Sequence, residues 1–153
     1  MEIELPAEVR LNEDHVAHIV PRVAGIVREV HKSIGDTVLE GELMAALDSR
    51  ELADAQAEYL AANSRLELAR KEFAREKALW EEQISAEKDY LAASRELQEA
   101  QIAVRAAVQK LQALGLSEAQ LREVASGRRD FLTRYEMTSP FNGEVLEKHM
   151  VLG

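Results

Sequence analysis

Large apolar residues recur at every seventh position through the middle of the chain: Leu52, Tyr59, Leu66, Phe73 and Trp80, then, after an interruption, Tyr90, Leu97, Val104 and Leu111. Alanines follow three residues behind, at Ala55, Ala62 and Ala69 in the first run and Ala93, Ala100 and Ala107 in the second, and Leu114 ends the series. Spacings that alternate between three and four keep these side chains on one narrow helical seam, the pattern of a coiled coil. Alanine at half of the seam positions lets two helices approach closely, with large side chains layered against small ones. No glycine or proline occurs between residues 49 and 114. The interruption, around Glu82 to Glu87, is short, and a short break between long helices predicts an antiparallel hairpin. Ser85, followed by Ala86-Glu87-Lys88, is the expected N-cap of the second helix. About 34 and 28 residues give rods of roughly 50 and 40 Å.

The pattern changes on either side of this seam. Residues 15–48 carry short runs rich in Val and Ile, His15 to Val20 and Gly25 to Val30, punctuated by Pro21, Gly25, Gly35 and Gly41. Such runs read as short strands joined by tight turns. Glu42 to Leu47 fits strand or helix. Residues 115–132 form a connector: Gly115 is placed to end the second helix, and Ser117-Glu118-Ala119-Gln120 reads as a capping box opening a short helix that Gly127 closes. Residues 133–153 are β-like again, with Pro140, Gly143 and Gly153 as punctuation.

The two β-like regions share a repeat. Gly25-Ile26-Val27-Arg28-Glu29-Val30-His31-Lys32-Ser33-Ile34-Gly35 aligns with Gly143-Glu144-Val145-Leu146-Glu147-Lys148-His149-Met150-Val151-Leu152-Gly153. Glycines, Val, Glu and His coincide, and a proline, Pro21 or Pro140, precedes each copy. Two similar units flanking one hairpin predict a single β domain built of two halves, with the hairpin inserted between them. The first copy continues through Asp36 and Gly41; the second reaches only Gly153, so the expectation is a second half that is incomplete, in a fragment of something longer.

Composition narrows the function. A net charge of −9 argues against nucleic acid as a partner, because phosphates require a basic footprint. The absence of cysteine excludes disulfides, thiolate metal sites and cysteine nucleophiles. No apolar run approaches the roughly 18 residues of a membrane span, and the segment after Met1, Glu2-Ile3-Glu4-Leu5-Pro6, is not a signal peptide. No His-plus-carboxylate set is held on a rigid turn, so the expectation is a protein that is not an enzyme. His15 and His18 suggest a metal pair, but residues three apart on a strand point to opposite faces, and zinc needs three or four converging ligands. No metal site and no cofactor are expected. Phe73 and Trp80 have the chemistry of docking anchors; their place on the seam favours packing instead. Arg128-Arg129-Asp130 is a charge cluster without an assigned role.

Certain of these residues resemble a known family. Gly25-x-Val27, then Gly35-Asp36-x-Val38-x-x-Gly41-x-Leu43, resembles the first half of a lipoyl or biotinyl domain. Thr138-Ser139-Pro140-Phe141-Asn142-Gly143-x-Val145 resembles the return strand of the second half in membrane fusion proteins, the HlyD-like periplasmic adaptors of resistance-nodulation-division (RND) efflux pumps. Leu47-Asp48-Ser49-x-Glu51-Leu52, Ala55 to Tyr59, Ile84 to Tyr90 and Tyr135 to Gly153 are similar to the heavy-metal, cobalt–zinc–cadmium branch of that family. The resemblance implies an α+β fold, a long antiparallel coiled-coil hairpin inserted between two halves of a lipoyl-like β-sandwich. It implies an adaptor that links an inner-membrane RND transporter to an outer-membrane TolC-like channel and self-associates into a ring, exporting heavy-metal cations or drugs. It places the protein in the periplasm, associated with the inner membrane, with its targeting segment outside this chain. It implies a docking tip at Arg75, Leu79 and Ser85. The modified lysine of a true lipoyl carrier would stand on the turn after Leu47-Asp48-Ser49, which carries no lysine. Two other readings stay open at this point: an adaptor of type I secretion or of an ATP-driven exporter, and a coiled-coil scaffold with no transport role.

Overall fold

A computed structural model describes residues 16–127 and 133–152; His15, the Arg128-Arg129-Asp130 cluster and Gly153 lie outside them. The order of elements is β1 (Ile26–Val30), β2 (Thr37–Val38), β3 (Leu43–Asp48), α1 (Arg50–Glu81), α2 (Glu87–Ala113), α3 (Glu118–Ala125), β4 (Arg134–Thr138) and β5 (Gly143–Glu144). The two long helices form the hairpin. Strands from before and after it interleave: β1, β3 and β4 make one antiparallel sheet with β3 in the centre, and β2 pairs with β5 in a second. The hairpin therefore enters and leaves a β unit that both flanking segments build together.

The ambiguous stretch Glu42 to Leu47 becomes the central strand. Its residues Ala45, Ala46 and Leu47 are almost wholly buried, and β1 and β4 supply hydrogen bonds on both edges. Val16 to Val20, expected as a strand, takes no regular structure. Strand propensity expresses itself only where a partner backbone is available, and the β1–β3 ladder starts at Ile26 opposite Asp48. Ile19 still contributes, packing its side chain with Val27, Tyr135 and Met150 around Ala45, Leu47 and Met137.

The two halves also meet through their turns. Gly35 donates its N–H to the Val145 carbonyl and Val145 returns one to Asp36. Likewise Gly41 donates to the Ser139 carbonyl while Ser139 donates to Glu42. The Asn142 side chain accepts from the Glu40 N–H at 2.7 Å. The residues picked out by the lipoyl-like pattern thus hold one half against the other.

A second and larger cluster sits where the hairpin leaves the sheet. Leu52, Ala55 and Tyr59 of α1 meet Ala107 and Leu111 of α2, and Leu121 and Val124 of α3 close over them. Tyr135 on β4 packs against both clusters and ties the hairpin to the sheet. The passage into α1 takes one residue. Ser49 is fully buried, its Oγ accepts from the Leu52 N–H, and its own N–H donates to the Thr133 carbonyl. Gly25 lies directly under this joint: a Cβ there would stand 2.4 Å from the Asp48 carbonyl oxygen. Only glycine lets the chain pass so close.

Candidate functional site at the hairpin tip

Both long helices end in the same way, and the comparison defines the tip. At the C-terminus of α2, Gly115 takes φ +96°, its N–H bonds the Gln112 carbonyl, and the Leu116 N–H reaches back to Leu111. This is a Schellman closure with its usual glycine and its hydrophobic clasp, Leu116 over Leu111. At the end of α1 the same bonds appear, Gln83 to Trp80 and Ile84 to Leu79, but the left-handed position belongs to Gln83, at φ 60°. A side chain there is strained. The residue equivalent to Leu116 is Ile84, which is 68% exposed.

Ser85 does not cap α2. The N-cap is Ala86, with no side-chain hydrogen bond. The Schellman turn uses the Ser85 N–H on the Leu79 carbonyl, at 3.3 Å, which sets Ser85 one residue too early. Its Oγ is occluded and has no hydrogen-bond partner. The carboxylates Glu87 and Asp89 stand in the first turn of α2, where they favour the helix dipole.

The other residues of the tip set are close by. Arg75 and Leu79 are one helical turn apart on α1. The Arg75 guanidinium is held on its own helix by Glu72 at 2.8 Å and Glu76 at 3.1 Å. Leu79 is half-buried and its carbonyl anchors the turn. Trp80 stacks on Tyr90 with centroids 4.8 Å apart and planes 14° from parallel, and the Phe73 ring meets Tyr90 tilted, at 5.7 Å. Trp80 keeps 41% of its surface exposed. The tip thus presents an aromatic stack and an isoleucine to its surroundings on a turn fixed by four backbone hydrogen bonds.

Along the seam, Leu52, Tyr59, Leu66 and Leu111 are buried, while Phe73, Tyr90, Leu97 and Val104 are half-buried. Lys110 reaches across the hairpin to Glu58 at 2.7 Å, and that carboxylate raises the pKa of the lysine. Sequence reasoning missed Gln56, which is fully buried beside the seam with neither amide atom hydrogen-bonded, and Tyr135, whose role depends on a strand pairing that no local pattern reveals.

The β unit carries the strongest electrostatics. Arg134 makes a two-pronged pair with Glu29, at 2.8 and 3.0 Å, and also bonds Glu136. Arg134, with help from His31, holds the Glu29 carboxyl at about 2, well below its ordinary 4.5. Arg28 lowers Asp48 in the same manner. His31 lies 3.0 Å from Glu29, and in the repeated copy His149 lies 3.2 Å from Glu147. Among the described residues no three His, Asp or Glu side chains converge as a metal site would need, and no helix is long and apolar enough to cross a membrane.

A long antiparallel hairpin rises from a β unit made by the segments on both sides of it and exposes Trp80 and Ile84 at its tip. Residues 54–113 match the family described as "CzcB-like, alpha-helical hairpin domain". The chain is 48% identical over 151 residues to the cobalt-zinc-cadmium resistance protein CzcB of Cupriavidus metallidurans, covering 99% of this chain and 27% of the relative. It is 33% identical to the nickel and cobalt resistance protein CnrB of the same organism, covering 99% of this chain and 35% of the relative. The chain therefore spans about a third or less of the length of these curated relatives. The crystal structure of ZneB from Cupriavidus metallidurans superposes with a TM-score of 0.66 at 25% identity, over 90% of this chain and 54% of that one.

Proposed function

We propose that this chain is the hairpin-bearing part of a periplasmic adaptor in a tripartite efflux system that exports heavy-metal cations. In this reading the β unit belongs to the body of the adaptor, beside an inner-membrane RND transporter. The hairpin carries its tip towards an outer-membrane channel, and copies of the adaptor associate around a conduit. The work is mechanical: a rigid rod holds Trp80, Ile84 and the Arg75, Leu79 and Ser85 set at a fixed distance from the sheet, and no bond is made or broken. The observation that carries the reading is the 48% identity to a cobalt-zinc-cadmium resistance protein along nearly the whole chain. It is supported by a tip whose apolar side chains are left open on a backbone that is itself well bonded, the combination expected of a docking end.

The test is metal tolerance in a Gram-negative host lacking the full-length gene, with and without complementation. Loss of tolerance to cobalt, zinc, cadmium or nickel, restored by the gene, is the expected result. Unchanged metal tolerance with altered sensitivity to drugs or dyes would remove the metal cargo and keep the adaptor. No change in either would remove the efflux role.

A further inference from the structure

Asn142 is followed by Gly143, whereas the other asparagines, Asn12 and Asn63, precede Glu13 and Ser64. The side-chain amide carbon of an asparagine lies within reach of the next residue's main-chain nitrogen, and a glycine leaves that nitrogen unshielded. Nothing in the backbone calls for glycine at 143: its φ is not left-handed, and a Cβ there would meet only the Phe141 ring, at an ordinary 3.5 Å. Gly25, at the same place in the repeat, is by contrast enforced by the close approach of the Asp48 carbonyl.

The surrounding turn prepares the amide. Ser139 is buried and donates its hydroxyl to the Phe141 carbonyl at 2.7 Å, which holds the backbone leading into Asn142. The Asn142 side chain is open to water, and its Oδ1 accepts from the Glu40 N–H at 2.7 Å. That oxygen takes up negative charge when a nitrogen adds to Cγ, and a fixed N–H aimed at it stabilises the charge as it develops. The attacking nitrogen belongs to a two-residue strand, β5, and Gly143 faces Val38 on the end rung of its ladder, where local opening costs little. Asn63 has no such setting, because the Ser64 N–H is engaged inside α1.

We propose that Asn142 is a self-modification site, which converts with time to aspartyl and isoaspartyl forms. The Gly143 nitrogen bonds to Cγ of Asn142, the Cγ–Nδ2 bond breaks, and the displaced nitrogen leaves as ammonia with the proton of the Gly143 amide. Water then opens the succinimide ring. Cleavage between nitrogen and Cγ restores the main chain and leaves a side-chain carboxylate. Cleavage at the main-chain carbonyl carbon routes the chain through Cβ and Cγ instead. The two products act differently on the β unit. The aspartyl carboxylate still accepts from the Glu40 N–H, now with charge assistance, and the two halves stay tied. The isoaspartyl link adds a methylene to the main chain just before Gly143, which moves Gly143 out of register with Val38 and loosens the join.

The full-length protein, kept at mildly alkaline pH in water enriched in the heavy isotope of oxygen, reports this directly. Peptide mass spectrometry with fragmentation that separates isoaspartate from aspartate is expected to show label accumulating in both forms at position 142 and none at Asn63. In the aged protein, hydrogen exchange should quicken at the Gly35 and Gly41 N–H groups, which bond the Val145 and Ser139 carbonyls across the join. Gly143→Ala should abolish the label. Glu40→Pro isolates the contribution of the fold. Glu40 is the second residue of a type II turn, closed by the Glu42 N–H on the Leu39 carbonyl with Gly41 at φ +79°, and proline is favoured there. This variant therefore keeps the turn, removes the N–H, and should slow labelling at Asn142. An intact protein that stays unlabelled at Asn142 would overturn the proposal, as would labelling that is equal or faster in Glu40→Pro.

Discussion

The root and the tip of the hairpin are written in the same heptad and end in the same closure, yet they are packed differently. At the root Leu52 and Leu111 have no exposed surface, because α3 and Tyr135 add a third layer over the two helices. Towards the tip only the two helices remain, and Trp80 at the equivalent position is 41% exposed. The seam decides which side of each helix turns inward; a further layer decides how completely it is buried. The closures differ in the same sense. Gly115 takes the left-handed turn without strain and Leu116 is built into the core, whereas Gln83 and Ile84 accept strain and exposure. Stability is concentrated where the rod is held, and the free end keeps apolar surface available.

Truncating side chains at the two ends should separate them most. Leu111→Ala is expected to lower unfolding stability by about 3 kcal/mol, the usual cost of a leucine-sized cavity in a closed core. Trp80→Ala should cost about 1 kcal/mol, chiefly its stack on Tyr90. Urea unfolding of both variants measures the difference, and equal losses would break the comparison. The two closures provide a finer test. Gln83→Gly should raise stability by up to about 1 kcal/mol by relieving the left-handed residue. Gly115→Ala should lower it by at least about 1 kcal/mol, since its Cβ would stand 3.2 Å from both Tyr135 Oη and Arg22 Cδ. A stabilising Gly115→Ala would mean that the root yields as easily as the tip.

The smallest effect belongs to the sheet beneath the root. The Glu29 carboxyl lies at about 2 in the fold against an ordinary 4.5. Its contribution is therefore fully present above pH 4.5 and lost as pH falls towards 2. Glu29→Gln should flatten the acid limb of the stability curve across that window, as read by thermal unfolding at a series of pH values. An unchanged limb would show that the Arg134 pair adds nothing to the anchoring of the hairpin.

The helices and the connector could be read from the sequence because their signals are local. Heptads, a gap free of glycine and proline, and the Ser117–Gln120 capping box, present with both of its bonds, each involve residues a few positions apart. The sheet was legible only in part. Val16 to Val20 has the composition of a strand and lacks a pairing partner, while Leu43–Asp48 has the composition of either element and is made a strand by partners 15 to 22 residues before it and more than 80 after it. At the tip, nothing about Gln83 announces a left-handed residue, so Ser85 looked like a cap. Once Gln83 makes the turn, Ser85 is spent on the Leu79 carbonyl. Tyr135 and Gln56 depend wholly on what folds over them.

The single-residue passage at Ser49 has a mechanical meaning. A 32-residue helix is a lever arm of about 48 Å, so each degree of rotation at its base displaces the far end by about 0.8 Å. With Ser49 sealed between the Leu52 and Thr133 backbones and Gly25 wedged beneath, there is almost no slack in which such a rotation could start. Aiming accuracy at the distal end is thus set by one serine and one glycine at the fulcrum, and a methyl group added there would be read out as a misplacement tens of ångströms away.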